Sequence, residues 1–300
     1  MNEQQRSKWE ENQERLFRFM ELPFPYTPPP KKWAGETNPS KILSLADPHD
    51  PYSCGVVLSH VMDYERDAHT IIVPGDIGDY YSKSRFRKTR HQSFSYELKS
   101  VFIRLEWLST HWKNVKVMLG NHDNRPEKHA SALIGNEVDI LIMTEQNMLA
   151  HLISFFPNVE LVGKQLDSTD INLTHIYQHG DIIFTHGELS VTQGTAILDR
   201  VQGWLDKWAH VLELKPYRVL AQAHNHRDLE QVKGTVKRML LPTASNPYSA
   251  GMEYIYTSRM IGDPPSIGYT VLHQEDGRTD FNRSHNVVFE IKDGRVQPLR

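Results

Sequence analysis

Short apolar runs, each ending in polar residues, recur along most of the chain. KILSLA (41–46), HTIIVPG (69–75), NVKVMLG (114–120), NVELVG (158–163), DIIFTHG (181–187) and YRVLAQA (217–223) are too short for buried helices and read as strands. Between them lie stretches with helical spacing. GVVLSHVMDYERDA (55–68) sets Val57, Val61 and Tyr64 on one side. FSYELKSVFIRLEWLSTHW (94–112) repeats Phe94, Leu98, Val101, Leu105, Leu108 and Trp112 at steps of four and three. Further helices are predicted over 140–156 and 196–214, the latter with Ile197, Val201, Trp204, Trp208 and Val211 on one face. HIYQHGDIIFTHG (175–187) reads as a hairpin turning at Gly180-Asp181. After His226 the pattern turns to strands alone, at 236–242, 267–274 and 286–294, with turn signals at Asp276-Gly277 and Asp293-Gly294.

Strands alternating with helices, then a run of strands, predict a layered α/β architecture. Residues 1–20 read as a polar helix carrying Trp9, Leu16, Phe17 and Met20, and the proline-rich LPFPYTPPPKKW that follows is expected to run extended. Residues 1–40 are therefore read as an N-terminal extension that packs on the main unit or trails as a tail. Residues 41–300 are read as a single domain.

Composition narrows the options. A hydrophobic fraction of 39% supports a sizeable core. A net charge of -3 argues against a surface dominated by polyanion binding. Cys54 is the lone cysteine, so an intrachain disulfide and a thiolate metal site are both excluded. The N-terminal twenty residues lack the apolar segment of a signal peptide, and no stretch approaches a membrane span. The expectation is a soluble protein of a reducing cytoplasm with no membrane partner.

The chemistry lies where the strands stop. LSLADPH ends in Asp47 and His49, IIVPGDIGD in Asp76 and Asp79, VMLGNHD in Asn121, His122 and Asp123, IIFTHG in His186, and LAQAHNH in His224 and His226. Functional groups in open α/β sheets gather beyond the carboxyl ends of strands. Carboxylate, imidazole and amide oxygen without thiolate suit Mn, Fe, Zn, Co or Ni. Seven candidate ligands exceed the needs of one ion and favour two. Paired ions about 3.5–4 Å apart are a recurring device for hydrolysing phosphate esters.

These motifs, Asp47-Pro48-His49, Gly75-Asp76-Ile77-Gly78-Asp79, Gly120-Asn121-His122-Asp123, His186-Gly187 and Ala223-His224-Asn225-His226, resemble in order and spacing the calcineurin-like metallophosphoesterase family. The resemblance implies a four-layer α/β/β/α sandwich and hydrolysis by a hydroxide activated by two divalent ions, manganese favoured. It implies a first metal on Asp47, His49 and His226, a second on Asn121, His186 and His224, and Asp76 bridging both. His122 would donate a proton to the leaving group, with Asp123 orienting its ring. Asp79 reads either as a partner steadying His49 or as a cap for the next segment.

Two features depart from the family pattern. Ala223 stands where glycine is usual, and LPTASNPYSAG replaces an Asn-Pro-Gly-Ser turn, which bears on substrate contacts more than on the metals. Asp50 and Leu119 occupy places where protein phosphatases of the family carry glycine and arginine, so that activity ranks low. A phosphodiester or nucleotide substrate is favoured because Lys83, Arg85, Arg87, Lys88 and Arg90 follow the Asp76 motif, a basic loop that reads equally as a phosphate or nucleic-acid clamp or as a solvated loop. Arg125 and Lys128 incline the reading toward the clamp. A phosphomonoesterase, a DNA nuclease and a non-catalytic binding module are the alternatives, the last disfavoured because no ligand is missing. His60, His111, His151 and His210 fall within helices and are read as structural, His179 stands beside a turn, and Trp204 and Trp208 are read as core.

Overall fold

The structure, a computed structural model, describes residues 3–33, 38–84, 88, 91–132, 148–166, 173–187, 194–249, 252, 265–292 and 295–299. Its helices are α1 (Glu3–Phe19), α2 (Gly55–Tyr64), α3 (Phe94–His111), α4 (Arg125–Ala132), α5 (Met148–Ile153) and α6 (Gly194–Trp208). A first sheet runs β14 (Arg295–Pro298), β13 (His285–Lys292), β11 (Ile267–Glu275), β1 (Asn38–Ser44), β2 (Ala68–Pro74), β3 (Asn114–Met118), β4 (Val159–Leu161), with β12 (Arg278–Thr279) paired to β11. A second runs β5 (Lys164–Gln165), β6 (Leu173–His179), β7 (Ile182–Gly187), β8 (Val219–Gln222), β10 (Val236–Leu240), β9 (Leu229–Lys233).

The expected mixed α/β architecture is present. Strands β1 to β4 pair in parallel, as do β7, β8 and β10. Parallel strands covered on both faces read as unbroken apolar runs, and both central runs, at 71–73 and 182–184, are fully buried. One apolar cluster draws on both sheets: Ile42, Ile72, Met118 and Leu272 from the first meet Ile182, Phe184, Val219 and Met239 from the second. A second cluster joins the first sheet to α1, α2, α3 and α5 through Phe17, Val61, Leu105 and Leu152. A third sets Ile197, Leu198, Val201 and Leu205 of α6 against Ile183, Leu220 and Leu240.

Three expectations change. Helix α6 ends at Trp208, and the turns beyond it close at Glu213, whose φ is 56° and where the Leu214 N–H reaches the Ala209 carbonyl at 2.9 Å. Such a left-handed cap stops a helix whatever the apolar spacing suggests, and Val211 is left 57% exposed. Strand β9 was not predicted, because an edge strand reading LEQVK with four exposed positions carries no alternating signal. Of the helix expected over 140–156, residues 148–153 are helical and 140–147 lie outside the described residues, as does the Asp293-Gly294 turn.

The N-terminal segment packs closely. Phe17 is fully buried, with ring centroids 4.9 Å from Phe155 and 5.8 Å from Tyr26. Lys32 donates its N–H to the Thr110 carbonyl at 2.8 Å, tying the proline-rich stretch to α3. Among the described residues no helix is long and apolar enough to cross a membrane. Phe17→Ala should lower the unfolding free energy by about 3–5 kcal/mol, the usual cost of emptying a buried aromatic site. Urea denaturation measures it, and a loss below about 1 kcal/mol would show that α1 contributes little to the core.

Candidate metal centre

The two sheets bring their strand ends to one place. Past β1, Asp47 and His49 are pinned on both sides: Thr243 Oγ1 donates to the Asp47 carbonyl at 2.8 Å, and His49 N–H donates to the Asp76 carbonyl at 2.9 Å. Arg104 of α3 forks onto Asp50 at 2.8 and 3.2 Å, which gives the residue standing where glycine was expected a structural partner. Past β2 comes Asp76, past β3 Asn121 and His122, and from the second sheet His186 ends β7 while His224 and His226 follow β8.

The backbone is strained where the candidate ligands stand. Asp47, His49, Asp76, His224 and His226 all have positive φ, between 50° and 79°. Such residues cost about 1 kcal/mol or more each and persist where the surroundings hold them. Asp and His tolerate this region better than most side chains. Glycine serves the two closest approaches. A Cβ on Gly120 would lie 2.0 Å from Asp76 Oδ1, and one on Gly75, whose φ is 102°, would lie 2.3 Å from His186 Nδ1.

Lone pairs converge in this space. His186 Nδ1 donates to the Pro74 carbonyl at 2.9 Å, which aims Nε2 at Asn121 Oδ1, 3.0 Å away, and at Asp76 Oδ2, 3.3 Å away. His49 Nδ1 faces Asp79 Oδ1 at 3.2 Å, while its Nε2 stands 3.2 Å from His226 Nε2. Asp47 Oδ1 is buried without a hydrogen bond, and Asp47 Oδ2 accepts the His224 N–H at 2.8 Å. Three triads have ligand atoms within 4.8 Å of one another: Asp47, His49 and His226; Asp76, His186 and His224; and His49, Asp76 and His122. This donor set fits divalent cations of the borderline class.

The electrostatics ask for positive charge. Asp47 and Asp76 are both fully buried. Burial raises the Asp47 carboxyl to about 6, against the pull of His186. Burial opposes charge on His186, yet Asp76 and Asp47 outweigh it and raise that ring to about 9. His49 is likewise raised, with Asp79 and Asp76 overcoming burial. His224 is lowered to about 3 and His226 well below its usual value, by burial and then by neighbouring imidazoles, so both present neutral nitrogens.

His122 differs from expectation in its partners. Both Asp123 oxygens accept backbone N–H groups, from Gly78 at 3.1 Å and Gly120 at 2.9 Å. Asp79 instead faces the His122 ring, its Oδ1 3.0 Å from Nδ1. Arg125 completes the group, with Nη2 2.8 Å from His122 Nε2 and Nη1 donating to the Asp79 carbonyl at 2.7 Å. A guanidinium only donates, so Nε2 accepts and Nδ1 carries the proton. Burial, then Arg125, lowers His122 to about 4. Asp79 is held well below the usual carboxylate range: burial works against its charge, but His122, His49 and Arg125 prevail.

Among the other basic residues, Lys83 lies over the Phe94 ring at 4.6 Å and Lys88 donates to the Ser82 carbonyl at 2.5 Å, while Arg85, Arg87 and Arg90 lie outside the described residues. Arg125 gains a definite place that its sequence position only hinted at. His175, not singled out in the sequence, stands directly across from His186. The hairpin register could have found it, because residues equidistant from Gly180-Asp181 pair. Gly120→Ala should reduce metal affinity at least tenfold, because the added methyl displaces the Asp76 carboxylate. Mn²⁺ titration calorimetry measures it, and unchanged affinity would show that Asp76 is not held by this contact.

No family model matches the sequence, and no curated protein matches it. Solved structures do. A Vps29 mutant from Entamoeba histolytica aligns over 86% of this chain and 97% of its own, at 13% identity and a TM-score of 0.41. A metallophosphoesterase from Sphaerobacter thermophilus aligns over 85% and 90%, at 15% identity and a TM-score of 0.42. An archaeal phosphodiesterase aligns over 83% and 99%, at 13% identity and a TM-score of 0.36. Likenesses this distant assign no residue roles. The chain has a mixed α/β fold of two sheets, and its strand-end motifs resemble in order those of the calcineurin-like metallophosphoesterases.

Proposed function

We propose that the protein is a metal-dependent hydrolase of phosphate esters. The observation that supports this most strongly is the convergence of Asp47, His49, Asp76, His186, His224 and His226, several on strained backbone, into overlapping triads. Asp47, His49 and His226 would hold one divalent ion, and Asn121, His186 and His224 a second, with Asp76 shared. Bound there, such ions would neutralise phosphate charge and lower the pKa of water. Manganese is the favoured ion, with iron, zinc, nickel or cobalt as alternatives.

The chain's own groups supply the rest. The Pro74 carbonyl accepts from Nδ1 and fixes the His186 ring, so that Nε2 is the nitrogen that would be free for a bound ion. Asp79 orients His122 through Nδ1, leaving Nε2 to exchange a proton with the leaving oxygen. In the resting arrangement Arg125 occupies that nitrogen. Proton donation there would require the guanidinium to release Nε2 and that nitrogen to take up a proton, leaving an imidazolium held by Asp79. The partner best suited to the freed guanidinium is a phosphate oxygen, which it can bind with two parallel hydrogen bonds. Asp123 serves by holding the Gly78 and Gly120 backbone.

The substrate proposed is a phosphodiester or nucleotide, on the strength of Arg125 beside the proton donor and Lys128 one turn further along α4. A phosphomonoesterase is the nearest alternative, and the two separate in one assay. Metal-stripped protein resupplied with Mn²⁺ should cleave bis-p-nitrophenyl phosphate faster than p-nitrophenyl phosphate. His122→Ala should lower kcat by about 10²- to 10⁴-fold, the usual worth of a general acid, with Mn²⁺ binding unchanged. Preference for the monoester would move the substrate class. Full Mn²⁺ occupancy with neither ester cleaved would contradict hydrolysis and favour a binding module.

A further inference from the structure

One buried imidazole near the centre has no role in the chemistry above. His175 on β6 is 2% exposed, and among the described residues neither ring nitrogen has a hydrogen-bond partner. A neutral imidazole carries one N–H and one lone pair. Leaving both unmet in the interior is unfavourable, and such groups persist in native proteins where a ligand, ion or water uses them.

Its position says which. His175 is the cross-strand partner of His186. Directly paired residues of antiparallel strands project from the same face, so the His175 ring stands on the face from which His186 reaches Asp76 and Asn121. It belongs to none of the three triads able to hold an ion among the described residues. It is therefore beside the ion position without being placed as a ligand. Burial, then the His186 charge, lowers it to about 4.

We propose that His175 is a phosphate-binding residue, its N–H directed at a non-bridging oxygen of a phosphate seated on the His186 side of the centre. It rests on the phosphoesterase reading above. The polar group is kept at a cost in stability because it grips the ligand. Sites that bind or react commonly hold such unfavourable groups, and replacing them tends to stabilise the fold while weakening function.

The test uses the full chain loaded with Mn²⁺ and inorganic phosphate as the probe, read by titration calorimetry. His175→Phe and His175→Ala should bind Mn²⁺ as the parent does, and His175→Phe should melt at the same or a higher temperature. Both should bind phosphate about 10- to 100-fold more weakly, the worth of one hydrogen bond to a charged group. His175→Asn and His175→Gln place an amide donor where Nδ1 and Nε2 stand, and one of them should recover part of the affinity. KM for a phosphate ester should rise with the phosphate Kd while kcat changes less. Phosphate affinity within twofold of the parent in His175→Phe and His175→Ala would overturn the proposal. Loss of Mn²⁺ binding in those variants would also overturn it, by making His175 a ligand or a support for one. Failure of the parent to bind Mn²⁺ would overturn the metal reading itself, and shows before phosphate is added. A parent that binds Mn²⁺ but no phosphate overturns the His175 assignment alone.

Discussion

The structure turns on the burial of Asp47 and Asp76 among imidazoles whose lone pairs face inward. Taking carboxylates out of water is expensive unless positive charge meets them. In the protein alone the carboxylates raise the proton affinity of the His186 and His49 rings that face them. A divalent ion bound there would answer the same demand with more charge. The same attraction that raises the affinity of these rings for protons would draw a divalent ion into the proposed site.

Everything around the site serves to keep the groups close despite their repulsion. The shared core of Ile42, Ile72, Phe184 and Val219 fixes the two sheets against each other, so strand ends from different sheets cannot drift apart. Backbone bonds lace the loops together, from His49 to Asp76 and from Ala244 to Ala46. Gly75 and Gly120 remove the Cβ atoms that would force the carboxylate and imidazole away. The strained φ values of five candidate ligand residues are stable only because these contacts over-determine them.

How much of this was legible in the sequence depended on range. Apolar runs ending in Asp, His and Asn located the strands and the candidate ligands, because strand periodicity and the turn glycines are local signals. The hairpin at Gly180-Asp181 was legible too, and with it, in principle, the pairing of His175 with His186. The partner of the His122 ring was not. Asp123 is its neighbour in sequence, but Gly78 and Gly120 take both carboxylate oxygens, and Asp79 arrives from another strand end. Arg125 acquires its place only when α4 folds back over His122. The helix overrun past Trp208 had a different cause: its apolar spacing continues through Val211, but a left-handed residue at Glu213 turns the chain toward β8.

The central claim is that these strand ends hold a pair of divalent ions shared through Asp76. Anomalous diffraction from crystals of the Mn²⁺-loaded protein measures it directly. Two peaks about 3.5–4 Å apart, one beside Asp47, His49 and His226 and the other beside Asn121, His186 and His224, with Asp76 touching both, are the expected result. A single peak, or none within reach of Asp76, would contradict it.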